Sequence, residues 1–374
     1  MIWSKQSVLL GVSLAAMLPA MAPRSTTHLR PAAVAGQPAV TTLTAADALA
    51  RAQAACEIGH AGAANATQVS QLVGLLSDDT RVETSECSHR GWGFNSNFGA
   101  EPVVCLSSPA QEAARALARI GRAAVAPLMA ALADPASTVR RHAAVALGLI
   151  DDHVAAAPAV PRLVATLADA DWQVRRNAVW ALGESGDRTV ITPVSRTLAD
   201  AHPGVRATAA HALGEIDDVR AVDALIGALK DEDPEVREMV AWALGELEQQ
   251  RAVPSLVTAL GDTDWRPRAK AAWALGEISS AEAVAGLVRA LKDDHLRVRE
   301  MAAWALGEIE SPLAVDGLVG ALKDESWEVR AKAAWALGEI GDSRASDSLA
   351  ASMKDSHAQV RKMAAWALAE ALGK

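Results

Sequence analysis

Apolar residues return in steps of three and four along most of this chain, and one stretch shows the pattern cleanly. Val222, Leu225, Ile226 and Leu229 fall at i, i+3, i+4 and i+7, the stripe of an amphipathic helix. Asp233 then precedes Pro234, a pairing that predicts an N-cap followed by proline at the first helical position. A second helix follows with Val236, Val240, Ala243, Leu244 and Leu247 on one side. The unit is therefore helix A, a tight turn and helix B.

The unit recurs. Arg175, Arg206, Arg237, Arg268, Arg299, Arg330 and Arg361 are spaced by 31, and Leu182, Leu213, Leu244, Leu275, Leu306, Leu337 and Leu368 keep the same step. Arg140 and Leu147 lie 35 before Arg175 and Leu182, with four extra residues near His153–Ala157. Further up, Ala116-Leu117 aligns with the Ala-Leu of the motif, and Ala54 to Gly59 reads as a degenerate copy of Ala336 to Gly341. That alignment puts Cys56 in a glycine slot, as a small buried residue. Such short helix pairs cannot bury their apolar faces alone, but stacked neighbours share a continuous core. The predicted fold is all-α: a right-handed α-solenoid of about nine stacked helix pairs over residues 44–374.

Four columns of fixed residue type run through the repeats. Asp134, Asp169, Asp200, Asp231, Asp262, Asp293, Asp324 and Asp355 close helix A, and the arginines from Arg140 to Arg361 open helix B. Opposite charges at constant spacing predict an ion-pair ladder within or between repeats. Eight copies argue for structure, since a catalytic group needs one. Glycines at 148, 183, 214, 245, 276, 307 and 338 predict close helix approach near the end of helix B. Ala369 takes that slot in the final copy, whose helix is expected to reach Leu372.

Composition sharpens the fourth column. Tyr is absent, Phe occurs twice and Trp eleven times. Trp180, Trp242, Trp273, Trp304, Trp335 and Trp366 share one slot, with His211 in the remaining copy. At 100° per residue this slot points roughly 145° from the core direction of helix B. It shares a stripe with the slot three before, where Met239, Lys270, Met301, Lys332 and Met363 alternate, and with Glu246, Glu277, Glu308 and Glu339 four after. Trp265 and Trp327 are also 62 apart, so a pair of repeats was the unit of duplication.

The segment Asp233-Pro234-Glu235-Val236-Arg237, then Ala243-Leu244-Gly245-Glu246 and Arg251-Ala252-Val253-Pro254, resembles the HEAT-like repeats first described in phycobilisome lyases. It also resembles the artificial arrays built on that consensus. The resemblance implies that helix B lines a concave surface. Artificial relatives diversify the positions matching Glu238, Met239, Trp242 and Glu246 to create binding sites. The implied partner-binding set is thus the Trp slot with His211, the Met/Lys slot and the Glu row. Two readings stay open: the indoles anchor a partner, or they lie over the joints between B helices and seal them.

The remaining features bear on location and chemistry. Lys5, the apolar run Val8–Leu18 and Ala20-Met21-Ala22 read as an export signal or anchor over residues 1–22, followed by an Ala/Pro/Thr linker over 23–43. A periplasmic or secreted protein follows, with no membrane contact beyond that anchor. A long insertion at 80–108 interrupts the first complete unit; an oxidising location would let Cys87 and Cys105 form a disulfide. The net charge of −9 disfavours a nucleic-acid partner. Deoxyhypusine hydroxylases carry His-Glu dipeptides, and no His here precedes Glu; nothing beyond the repeat points to a bilin lyase. The expectation is a monomeric, cofactor-free and metal-free scaffold for a protein or peptide, with a lyase-like or hydroxylase-like enzyme as the alternative.

Overall fold

Local signals set the helix starts. In a computed structural model, which describes residues 43–84 and 105–373, Asp171, Asp233 and Asp264 each accept a backbone N–H as N-cap of a B helix. The described residues fall in the unit that runs from Pro38 to Lys374. The expected leader, the linker up to residue 42 and Cys87 lie outside them.

A B-type helix, α1 (Ala48–Ala61), comes first, followed by A and B helices in pairs. The pairs are α2 (Ala66–Leu75) with α3 (Pro109–Ile120), and α4 (Arg122–Ala131) with α5 (Ser137–Gly148). Next, α6 (His153–Ala156) and α7 (Val160–Thr166) together serve α8 (Trp172–Glu184), and α9 (Ile191–Arg196) serves α10 (Pro203–Ile216). Then come α11 (Val222–Ala228) with α12 (Pro234–Glu246), and α13 (Val253–Ala259) with α14 (Trp265–Ile278). The last three pairs are α15 (Val284–Ala290) with α16 (Leu296–Ile309), α17 (Val315–Ala321) with α18 (Trp327–Ile340), and α19 (Ser346–Ser352) with α20 (Ala358–Gly373). Each B helix packs on the next and on its own A helix. The result is the HEAT/armadillo-like solenoid that the sequence predicts, with nine A/B pairs among the described residues.

The core is a spine of leucine and alanine. Leu182, Leu213, Leu244, Leu275, Leu306 and Leu337 are fully buried, each flanked by buried alanines. A second slot was not anticipated. Three residues past the glycine column the chain enters the left-handed region, at Gly62, Gly121, Gly186, Asp217, Glu248, Ser279, Glu310 and Gly341. This residue ends helix B and turns the chain toward the next helix A.

The arginine and aspartate columns form a regular ladder. Arg237 donates Nε and Nη2 to the Asp262 carboxylate of the next repeat at 2.6 and 2.8 Å. Its Nη1 donates to the Asp231 and Glu232 carbonyls of its own repeat at 2.7 and 3.1 Å. The same fork joins Arg140 to Asp169, Arg175 to Asp200, Arg206 to Asp231, Arg268 to Asp293, Arg299 to Asp324 and Arg330 to Asp355. Arg361 caps the carbonyls of Asp355 and Ser356. The ladder also reaches Arg51, whose Nε meets Asp78 at 2.8 Å. Asp134 departs from the expectation, because Ala110 fills the arginine slot one repeat earlier.

One sequence expectation needs correction. The column residue of α1 is Gly59, where an added Cβ would lie 2.9 Å from Ala116 Cα. Cys56 is half-buried instead, its Sγ 3.6 Å from His60 Nδ1. The alignment was three residues out, because an alanine-rich helix matches itself at several shifts. The all-α solenoid carries one small hairpin at the insertion: β1 (Val82–Thr84) and β2 (Cys105–Ser107) pair antiparallel, Val82 opposite Ser107 and Thr84 opposite Cys105. The ends of the insertion thus return side by side, which lets α2 and α3 pack as an ordinary pair.

Candidate functional site

The glycine and tryptophan columns turn out to be one device. An added Cβ at Gly245 would lie 2.6 Å from Trp273 Cζ3 and 3.0 Å from Ala274 Cα. Gly148, Gly214, Gly276, Gly307 and Gly338 face Trp180, Trp242, Trp304, Trp335 and Trp366 in the same way. Each indole edge therefore sits on the bare backbone of the preceding B helix. Gly183 faces only Ala212, because the next Trp slot holds His211. The column indoles remain half-buried, so each seals a joint and still presents part of its ring.

The rest of the stripe surrounds these rings. Lys270 Nζ lies 5.1 Å above the Trp273 ring, and Lys332 Nζ lies 5.4 Å above that of Trp335, both within cation–π range. Met239, Met301 and Met363 are half-buried in the alternate repeats and pack against the core. Glu246 and Glu308 are exposed, Glu277 and Glu339 half-exposed. His211 stacks on Trp242 with centroids 4.8 Å apart, and its Nε2 lies 3.7 Å from Glu215.

Electrostatics follow from crowding. Burial, then the neighbouring Glu215, pushes the carboxyls of Glu184 and Glu246 above the usual range; hydrogen bonds from Trp180 and Trp242 oppose the rise. Burial raises Glu238 and lowers the Lys270 ammonium, although each favours the other's charge. Burial also lowers the His211 imidazole.

The stacking partners of a second aromatic set escaped the sequence reading. Trp172, Trp265 and Trp327 each begin a B helix and stack on His202, His295 and His357 of the following repeat, at 3.6, 4.0 and 3.9 Å. His202 and His295 are N-caps whose Nδ1 accepts the N–H of Gly204 and Arg297. The signal was present: every Trp in the first helical position is followed by a histidine just before the next B helix. Where Pro203, Pro234 or Leu296 begins the helix, the next cap is Asp233, Asp264 or Ser326. Among the described residues no group of three or more His, Cys, Asp or Glu side chains is placed to hold a metal ion. No described helix is long and apolar enough to cross a membrane.

Comparison with known proteins now places the chain. The model of HEAT repeats matches residues 160–233, 222–305 and 284–369, and that of the PBS lyase HEAT-like repeat matches 110–134. The first spans more than half of the sequence, so the chain belongs to the HEAT-repeat family. Among solved structures it is similar to Kap95p in complex with RanGDP, with 17% identity over 87% of this chain and 49% of that one, at a TM-score of 0.59. It is also similar to YibA of Escherichia coli, with 20% identity over 67% of this chain and 92% of that one, at 0.50. The complex of CpcE and CpcF of phycocyanin lyase from Nostoc sp. PCC7120 matches at 24% identity over 65% and 93%, with a TM-score of 0.39. At these identities the likeness is one of fold. No curated protein matches the sequence.

Proposed function

We propose that this protein is an exported, non-enzymatic scaffold that binds a protein or peptide along the B-helix stripe from Trp180 to Trp366. The supporting observation is a single face on which half-exposed indoles recur through successive repeats beside a row of glutamates. Trp is a favoured interface anchor, and here its orientation is already fixed by the glycine joint, so binding orders little. Kap95p, of the same fold, is seen bound to RanGDP and to Nup1. Export rests on the N-terminal sequence.

A photo-reactive side chain at Met301, on the stripe, tests this against one at Asp223, an exposed position on an A helix. In the exported fraction, position 301 should trap a discrete partner and position 223 should not. Equal or absent trapping at both would sink the docking reading. Purified protein carrying a stoichiometric chromophore or iron would replace the scaffold by a lyase-like or hydroxylase-like enzyme.

A further inference from the structure

Charge on the stripe narrows what docks there; the argument rests on the docking reading just given. The B helices α8, α10, α12, α14, α16 and α18 carry Glu184, Glu215, Glu246, Glu277, Glu308 and Glu339 near their C-terminal ends, and none has a basic residue in its last turn. A helix C-terminus bears partial negative charge and favours cations. Six successive helices do the reverse, and the two negative potentials add along one row.

The chain itself shows which group this face accepts. Lys270 lies over Trp273, where the carboxylates of Glu238 and Glu246 favour its charge against burial. Lys332 repeats that seat over Trp335. In the earlier repeats the matching positions are Asn177, Thr208 and Met239, none of them charged. Glu184, Glu215 and Glu246 thus follow one another over α8, α10 and α12 without a lysine in that slot. At the two ends of this run the rise of the carboxyls is opposed, by His153 at Glu184 and by Lys270 at Glu246. In the middle, His211 leaves its Trp slot less filled than an indole would, with its Nε2 3.7 Å from Glu215 Oε1.

We infer that the occupant of the stripe is an extended cationic peptide segment, one of whose lysine or arginine side chains is received over His211 between Glu184, Glu215 and Glu246. An aromatic slot walled by carboxylates suits an ammonium or guanidinium group, and a row that repeats with the helices suits an extended backbone.

The test uses the full chain and three acetylated twelve-residue peptides, identical except for lysine, glutamine or glutamate at alternate positions. Titration calorimetry should show the lysine peptide binding at least about tenfold tighter than the glutamine peptide at low salt, with the advantage shrinking as salt rises. Combining Glu184→Gln, Glu215→Gln and Glu246→Gln keeps an acceptor for the indole N–H and should abolish most of that advantage. Combining Asp223→Asn, Glu282→Gln and Asp316→Asn changes net charge equally at exposed positions on or just before A helices and should preserve it. Equal binding of the three peptides, or an advantage untouched by the stripe variant, overturns the inference. If position 301 traps a partner while lysine confers no advantage, the docking face stands and its cationic occupant does not.

Discussion

Gly245 is fixed by what lies above it, since a methyl group there would meet Trp273 and the Ala274 backbone. Gly245→Ala should therefore lower stability by about 1–3 kcal/mol, the usual cost of overpacking. Gly320→Ala, where an added Cβ meets nothing within 4 Å, should raise it by up to about 1 kcal/mol through helix propensity. Thermal melts of the two variants decide this, and equal shifts would refute the joint. Glu248 and Glu310 hold left-handed backbone, so glycine at either should stabilise by about 1 kcal/mol. His142 gives a pH signature. Its Nδ1 contacts the Leu76 and Thr138 carbonyls at 3.1 and 2.9 Å, and its Nε2 lies 3.3 Å from Asp79. Burial pushes the imidazole down, Asp79 opposes this, and Arg141 adds to the fall. A base lowered on folding contributes stability above its unfolded value, and that stability is lost as pH falls from there through the lower folded one. Asp79→Asn removes the opposing charge, so NMR titration should show His142 falling further.

At the scale of the element, the ladder determines acid behaviour. Arg330 holds Asp355 at about 2, and Arg140 lowers Asp169. A depressed carboxylate stabilises above its unfolded value near 3.8 and loses that contribution as pH falls toward its folded one. Arg330→Gln should move the acid-unfolding midpoint upward, as followed by far-ultraviolet circular dichroism. These elements were legible in the sequence because each slot is written many times: Arg237 and Leu244 are read as much from their copies as from themselves. The left-handed slot was illegible because it is shared between glycine, at Gly62, Gly121, Gly186 and Gly341, and Asp217, Glu248, Ser279 or Glu310, so no one residue type marks it. The Trp265–His295 stack was hidden because its partners belong to different repeats, and the hairpin because three-residue strands leave too short a pattern. The Trp column was located by its angle on helix B; that angle could not say that a glycine of the preceding repeat receives the ring.

For the whole molecule, stability is a sum over joints, and one joint is weaker by construction. Ala110 leaves Asp134 without a rung, and α3 and α5 pack less extensively than other neighbouring B helices. Hydrogen exchange should find α1, α2 and α3 opening as a unit at lower free energy than residues 137–373; uniform protection across that joint would contradict the reading. Elsewhere the rungs are interchangeable, so the length of the array can be edited. Excising residues 265–295 removes one period, and with it both members of the Trp265–His295 stack. Arg237 would keep Asp262, and Arg268 with its Asp293 would leave together. Arg299 would then begin the next repeat, its carbonyl partners supplied by the Asp262 turn. The register of the ladder survives the cut, so this chain can lengthen or shorten by whole repeats without redesigning a rung.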